Sequence, residues 1–204
     1  MKCGLVTFYG DNFGACLQAY ALRKKIQDFG YEVELINYSQ FKKNNSSRGV
    51  TSKILSMSPK QIIDACIFHR RAKMWKQEYG KFRESYLHIS SKPYYQDSNL
   101  EPLTQEYDFF VCGSDMIWSE EFYNDWNMLY LTFAQKEKCV AYAPSFGRCE
   151  ISEQHKEECK KNLRQIGYLS SREDAGVKLI SSLIEKSEIM QALDPTLLLD
   201  SKEW

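Results

Sequence analysis

The stretch KCGLVTFYGDNFGACLQAYALRKKIQDFGYEVEL, residues 2–35, changes its apolar period twice. Residues 2–8 form a short apolar run that meets Gly10 and Asp11 and reads as a first strand. Ala15, Ala19, Leu22, Ile26 and Phe29 then recur at steps of four and three, one face of an amphipathic helix, and Gly30 stands where a helix stop favours glycine. Tyr31, Val33 and Leu35 alternate with Glu32 and Glu34, the period of a second strand. Strand, glycine-bearing loop, helix and strand within about 36 residues make a βαβ unit of the doubly wound kind.

Downstream, the alternation continues. Residues 39–53 are polar and rich in Ser and Asn, hence a loop or mobile insertion. The pattern predicts a helix over 59–87, with Ile63, Cys66, Ile67, Met74 and Phe82 on an apolar side. His69, Arg70, Arg71, Lys73, Lys76, Lys81 and Arg83 make it basic, so residues of about 40–92 form a basic helical insertion. Its charge is either a solvated helix face, the ordinary use of such a run, or a patch for an anionic acceptor. Strands are expected at 108–112, 128–133, 138–143 and 166–169, helices at 152–163 and 175–185, and a turn at Asp194-Pro195. This order predicts an α/β fold, a Rossmann-like, mostly parallel sheet with helices on both faces.

Composition excludes several classes. Among 204 residues the formal net charge is zero, so the overall balance calls for neither nucleic acid nor an anionic membrane. The longest apolar runs fall far short of the roughly 18 residues of a transmembrane helix, and the N-terminus lacks a signal-peptide core. Seven cysteines, an odd number with no Cys-x-x-Cys pair, read as reduced, buried thiols of a cytoplasmic protein rather than as disulfides or a metal site.

Four times a strand gives way to small polar residues: at Tyr9–Gly14, Gly113–Asp115, Ser145–Gly147 and Ser171–Glu173. In a parallel sheet these loops gather along one edge, where such folds bind ligands. Asn12 and Gly14 either serve only the helix start or offer its amides to an anion. Asp115 is either a turn residue or a chemical carboxylate, and Arg172 either grips an anion with paired hydrogen bonds or neutralises a neighbouring acid. Trp118 is either a core residue or a sugar-stacking platform. The three histidines, His69, His88 and His155, read as surface residues, and no histidine is placed to activate Cys16 or Cys112.

Five ordered blocks, NFGACLQAYAL (12–22), YDFFVCGSDMIW (107–118), YAPSFG (142–147), SSREDAG (170–176) and LDPTLLL (193–199), resemble the polysaccharide pyruvyl transferases. Met116 departs from the family pattern, which commonly carries glutamine after Gly-Ser-Asp. The resemblance implies a GT-B-like arrangement of two Rossmann-like halves about a cleft, of which residues 1–204 are the N-terminal half. It implies transfer of pyruvate from phosphoenolpyruvate, the donor substrate, to saccharide hydroxyls as a ketal, with no cofactor and no metal. Arg172 matches an arginine implicated in donor binding. On these grounds the expected site comprises Asp115 as the catalytic group, with Asn12, Gly14, Gly113, Ser114, Ser145 and Arg172 binding substrate.

In the family a second domain completes the donor site with an arginine and histidine motif, so the chain alone is expected to be inactive and to self-associate through its exposed interdomain face. Two other readings stand beside this one. One is a non-catalytic saccharide- or anion-binding domain; the other is a fragment of a GT-B-like glycosyltransferase that uses a nucleotide sugar.

Overall fold

The structure is a computed structural model that describes residues 1–39, 58–185 and 189–204. Most of the loop expected at 39–53 lies outside the described residues. In chain order the elements are β1 (Lys2–Val6), α1 (Phe13–Asp28), β2 (Glu32–Leu35), β3 (Tyr38–Ser39), α2 (Pro59–Tyr86), β4 (Tyr94–Tyr95) and α3 (Leu103–Glu106). There follow β5 (Phe109–Cys112), α4 (Trp126–Leu129), β6 (Cys139–Ala141), α5 (Glu153–Arg164), β7 (Tyr168–Ser171), α6 (Asp174–Ile184) and β8 (Met190–Gln191).

Six strands form one sheet in the order β2-β1-β5-β6-β7-β8, and every pairing in it is parallel. Strands β3 and β4 form a separate parallel pair. The register sets Leu5 beside Leu35 on one side and Val111 on the other. From β1 the chain moves outward to β2, then crosses back to β5 and proceeds the other way. The gap between β1 and β5 is therefore a topological switch point, the crevice where open α/β sheets accept ligands.

The pleat distributes the core. Cys3, Leu5, Val33, Leu35 and Val111 face Ala19, Leu22 and Ile26 of α1. Their neighbours Val6, Phe110 and Cys112 point to the opposite face, where Cys159 and Leu163 of α5 and Ile180 and Leu183 of α6 pack. Both faces of the sheet are thus covered, as the apolar strands require. Helix α2 lies on the α1 side, with the Phe82 and Tyr86 rings against Tyr20.

Several expectations change. Residues 128–133 are not a strand: α4 and a turn occupy the segment, and Leu131 takes a φ of 56°. Met128, Leu129, Tyr130 and Leu131 are all buried, and a wholly buried apolar run carries no period that separates helix from strand. Strand β7 starts two residues later than expected, and Phe29 is 70% exposed rather than part of the α1 core face. On α2, Ile67 and Met74 are exposed, and the buried contacts come from Tyr79 and from Leu87 just beyond the helix. Trp118 is fully buried, stacked on Tyr130 at 4.8 Å with its indole N–H given to the Leu129 carbonyl, so it is no sugar platform. His155 is not a free surface residue: it stacks on Tyr123 and lies 2.7 Å from Glu120.

Candidate functional site

All strands of the main sheet being parallel, their carboxyl ends share one edge, and the four polar loops leave β1, β5, β6 and β7 in adjacent order. Backbone hydrogen bonds weld three of them together. Ser145 N donates to the Asp115 carbonyl at 2.9 Å, Trp118 N to the Ser145 carbonyl at 3.1 Å, and Arg172 N to the Pro144 carbonyl at 3.3 Å.

Gly113 is dictated by close approach. Its φ is +135°, and a Cβ there would sit 1.8 Å from the Tyr142 carbonyl oxygen, so any side chain would push β5 and β6 apart. Ser114 is fully buried, and its N–H reaches Gln18 Oε1 at 3.4 Å. Gln18 also donates through Nε2 to Thr7 Oγ1 at 2.9 Å and the Phe8 carbonyl at 2.8 Å. This buried amide joins α1, the end of β1 and the start of the β5 loop across the switch point.

Asp115 adopts a φ of 62° and accepts the Met116 N–H on Oδ1 at 2.8 Å, a turn that holds its own loop. Asn12 caps α1, accepting the Ala15 N–H at 3.3 Å, and Gly14 is exposed beside it. Of the expected site residues, Ser145 and Arg172 line the pocket formed by the later loops, whereas Asn12, Gly14, Gly113, Ser114 and Asp115 do not.

That pocket, about 250 Å³, lies between the β6 loop and the start of α6. Ser145, Arg148, Cys149 and Arg172 line it, with Met116 and Gly176. Ser145 Oγ accepts the Gly147 N–H at 2.9 Å and so shapes the turn. Met116, 42% exposed, lies against Gly147, so a thioether occupies the wall where an amide would offer hydrogen bonds. The first turn of α6 has no side-chain cap, which leaves its N–H groups available on the pocket side that Ala175 and Gly176 line.

Arg172 is paired with two acids, its neighbour Glu173 and the more distant Asp194. Nε donates to Glu173 Oε1 at 2.8 Å and Nη1 to Asp194 Oδ2 at 3.2 Å. Burial opposes its charge, but these two carboxylates outweigh that and raise the guanidinium above its ordinary range. A guanidinium carries more N–H donors than these two bonds use, and the remainder are open to a further anion.

Sequence reasoning left three participants out of the site. Gln18 had a signal, being polar beside the apolar stripe of α1. Arg148 follows the β6 loop directly and is held only loosely, 3.9 Å from Glu120. Asp194, read as a turn residue, accepts Ser114 Oγ at 3.4 Å as well as Arg172, while its other oxygen takes Thr196 N–H and hydroxyl. Cys16 and Cys112 are poor nucleophiles here, because burial pushes both thiols up. Among the described residues no group of three His, Cys, Asp or Glu side chains gathers as a metal site, and no helix is long and apolar enough to cross a membrane.

No curated protein and no solved structure matches the chain at a significant level. A model of the polysaccharide pyruvyl transferase family matches residues 12–204, a span that begins within the β1 loop and contains the loops after β5, β6 and β7.

Proposed function

The chain belongs to the polysaccharide pyruvyl transferase family, and from that premise we propose that its carboxyl-edge pocket binds phosphoenolpyruvate for transfer of pyruvate to saccharide hydroxyls. The observation that carries the reading is Arg172, placed at the end of β7 in a pocket that also holds Arg148 and an uncapped helix start. Phosphoenolpyruvate presents a phosphate and a carboxylate, and each needs a cation or amide donors. The donor shares Arg172 with Glu173 and Asp194, since those acids already take two of its hydrogen bonds.

In the proposed reaction the methylene carbon of the donor takes a proton and a saccharide hydroxyl adds to the neighbouring carbon. A second hydroxyl closes the ketal as inorganic phosphate leaves; of the two hydroxyl protons lost, one offsets the proton taken by the methylene carbon and the other leaves on the phosphate. The sequence is redox-neutral and needs no cofactor. Positive charge around the departing phosphate is the main lever such a site offers. Asp115 fixes its loop through Oδ1 and presents Oδ2 to an acceptor hydroxyl. The reduced thiols fit a cytoplasmic setting.

Calorimetric titration of phosphoenolpyruvate into the chain, with inorganic phosphate as control, tests the reading. Donor affinity at least about tenfold above phosphate supports it, a gap of roughly 1.4 kcal/mol. Equal affinities would reduce the pocket to a general anion site.

A further inference from the structure

Helix α2 carries a second cavity of about 360 Å³, walled on one side by Asp11 from the β1–α1 loop. The helix supplies two kinds of lining at three- and four-residue spacing. Ala72, Trp75 and Tyr79 give an apolar strip, and His69, Lys73 and Lys76 a cationic one. Trp75 is 60% exposed, so an indole face stands uncovered beside ammonium groups.

The cations on this helix divide by partner. Arg83 is paired with Asp11 at 2.7 Å and Lys81 with Glu78 at 2.7 Å. Among the described residues neither Lys73 nor Lys76 has a carboxylate within ion-pair reach. The Arg83–Asp11 pair and the Phe13–Tyr79 ring contact, at 4.7 Å between centroids, fasten this face of α2 to the loop at the switch point. The cavity is therefore anchored at the same sheet edge as the donor pocket, not on a detached insertion.

Resting on the transferase reading above, we propose that this cavity is an acceptor subsite for an acidic saccharide, one whose sugar rings carry carboxylate or phosphate groups. The C–H face of a sugar ring buries against Trp75, and the anionic substituents meet Lys73 and Lys76. The volume falls in the range of about 300–1,000 Å³ that encloses small ligands.

The test titrates trigalacturonate, its neutral analogue galactotriose and a short single-stranded oligonucleotide into the chain, into Lys73→Gln/Lys76→Gln and into Trp75→Ala. These side chains are exposed, and a thermal melt verifies that each variant remains folded. Trigalacturonate should bind the wild type at least about tenfold more tightly than galactotriose and lose about tenfold in the double variant, the scale of charge-assisted hydrogen bonds. Trp75→Ala should weaken both saccharides, and phosphoenolpyruvate affinity should stay unchanged in both variants. Undetectable trigalacturonate binding, equal binding by the double variant, or tighter binding of the oligonucleotide would each overturn the subsite. If phosphoenolpyruvate binds while trigalacturonate does not, the subsite fails alone. If trigalacturonate binds as stated and phosphoenolpyruvate does not, the donor reading fails and the saccharide site stands.

Discussion

Arg172 Nη1 and Asp194 Oδ2 lie 3.2 Å apart, joining the end of β7 to the turn that follows β8. The same carboxylate oxygen accepts the Ser114 hydroxyl at 3.4 Å, so one side chain gathers the β5 loop, the β7 loop and the Asp-Pro-Thr turn. Asp194 orients the guanidinium and also competes with any anion for it.

That double role has measurable consequences. Arg172→Ala should lower phosphoenolpyruvate affinity by about 1.5–3 kcal/mol, the worth of hydrogen bonds to a charged group. Asp194→Asn keeps an acceptor but removes the charge, and should raise donor affinity about two- to fivefold, the scale of a partly exposed ion pair. Calorimetry on the two variants reads both. A fall in affinity for Asp194→Asn would mean that orientation outweighs competition.

Cys149 is exposed and lines the pocket with Arg172, whereas Cys3, Cys16, Cys112, Cys139 and Cys159 are buried. Burial raises the thiols of Cys3, Cys139 and Cys159 to about 12. Under native conditions a maleimide reagent should modify Cys149 well before these five, and phosphoenolpyruvate should slow that reaction several-fold. Peptide mass mapping with and without donor checks this, and unchanged labelling at saturating donor would place the donor elsewhere.

Gly113→Ala should destabilise the fold by roughly 3 kcal/mol or more, because the new methyl meets a backbone carbonyl at 1.8 Å that no rotamer can vacate. The urea midpoint should drop sharply. Gly10→Ala, with nothing within 4 Å of the added Cβ, is the control and should change it little.

Glu34 accepts Lys2 at 2.9 Å and the Tyr107 hydroxyl at 2.7 Å, tying β2 to β1 and to the entry of β5. Burial alone would raise this carboxyl, but the bonds from Lys2 and Tyr107 win and hold it below the usual carboxylate range. Its folded form binds protons less readily than its unfolded form, so its contribution is full above the ordinary carboxylate range and fades as pH falls through the lowered value. Glu34→Gln should therefore lose stability at pH 7 and show a shallower decline on acidification. Urea midpoints from pH 7 down to pH 3 measure the slope, and parallel profiles for the two proteins would discount this group.

Much of the fold was legible because its signals are local. The period-four-and-three stripe of α1 and the alternation of β2 arise from backbone geometry that neighbouring residues must obey. The segment 128–133 shows the limit: its apolar run Met128–Leu131 is wholly buried and reads equally well as helix or strand, and only the folded chain, with Tyr130 stacked on Trp118, shows a helix and turn there. The site divides in the same way. Gly113, Ser114, Ser145 and Arg172 follow strands and were visible as loop residues, whereas Gln18 and Asp194 act through partners up to 96 positions away.

The sequence by itself determined the alternation of strands and helices, and with it a parallel sheet that brings its polar loops to one edge. It also carried the family resemblance, through five blocks in order. Only the tertiary structure decided the strand order that makes β1 and β5 a switch point, and which acids hold Arg172. It alone showed that Trp118 is core while Trp75 stands open beside lysines. The physical reason is range: helix and strand periods are written in neighbouring residues, but pairing, burial and charge compensation depend on groups that meet only when the chain has closed on itself.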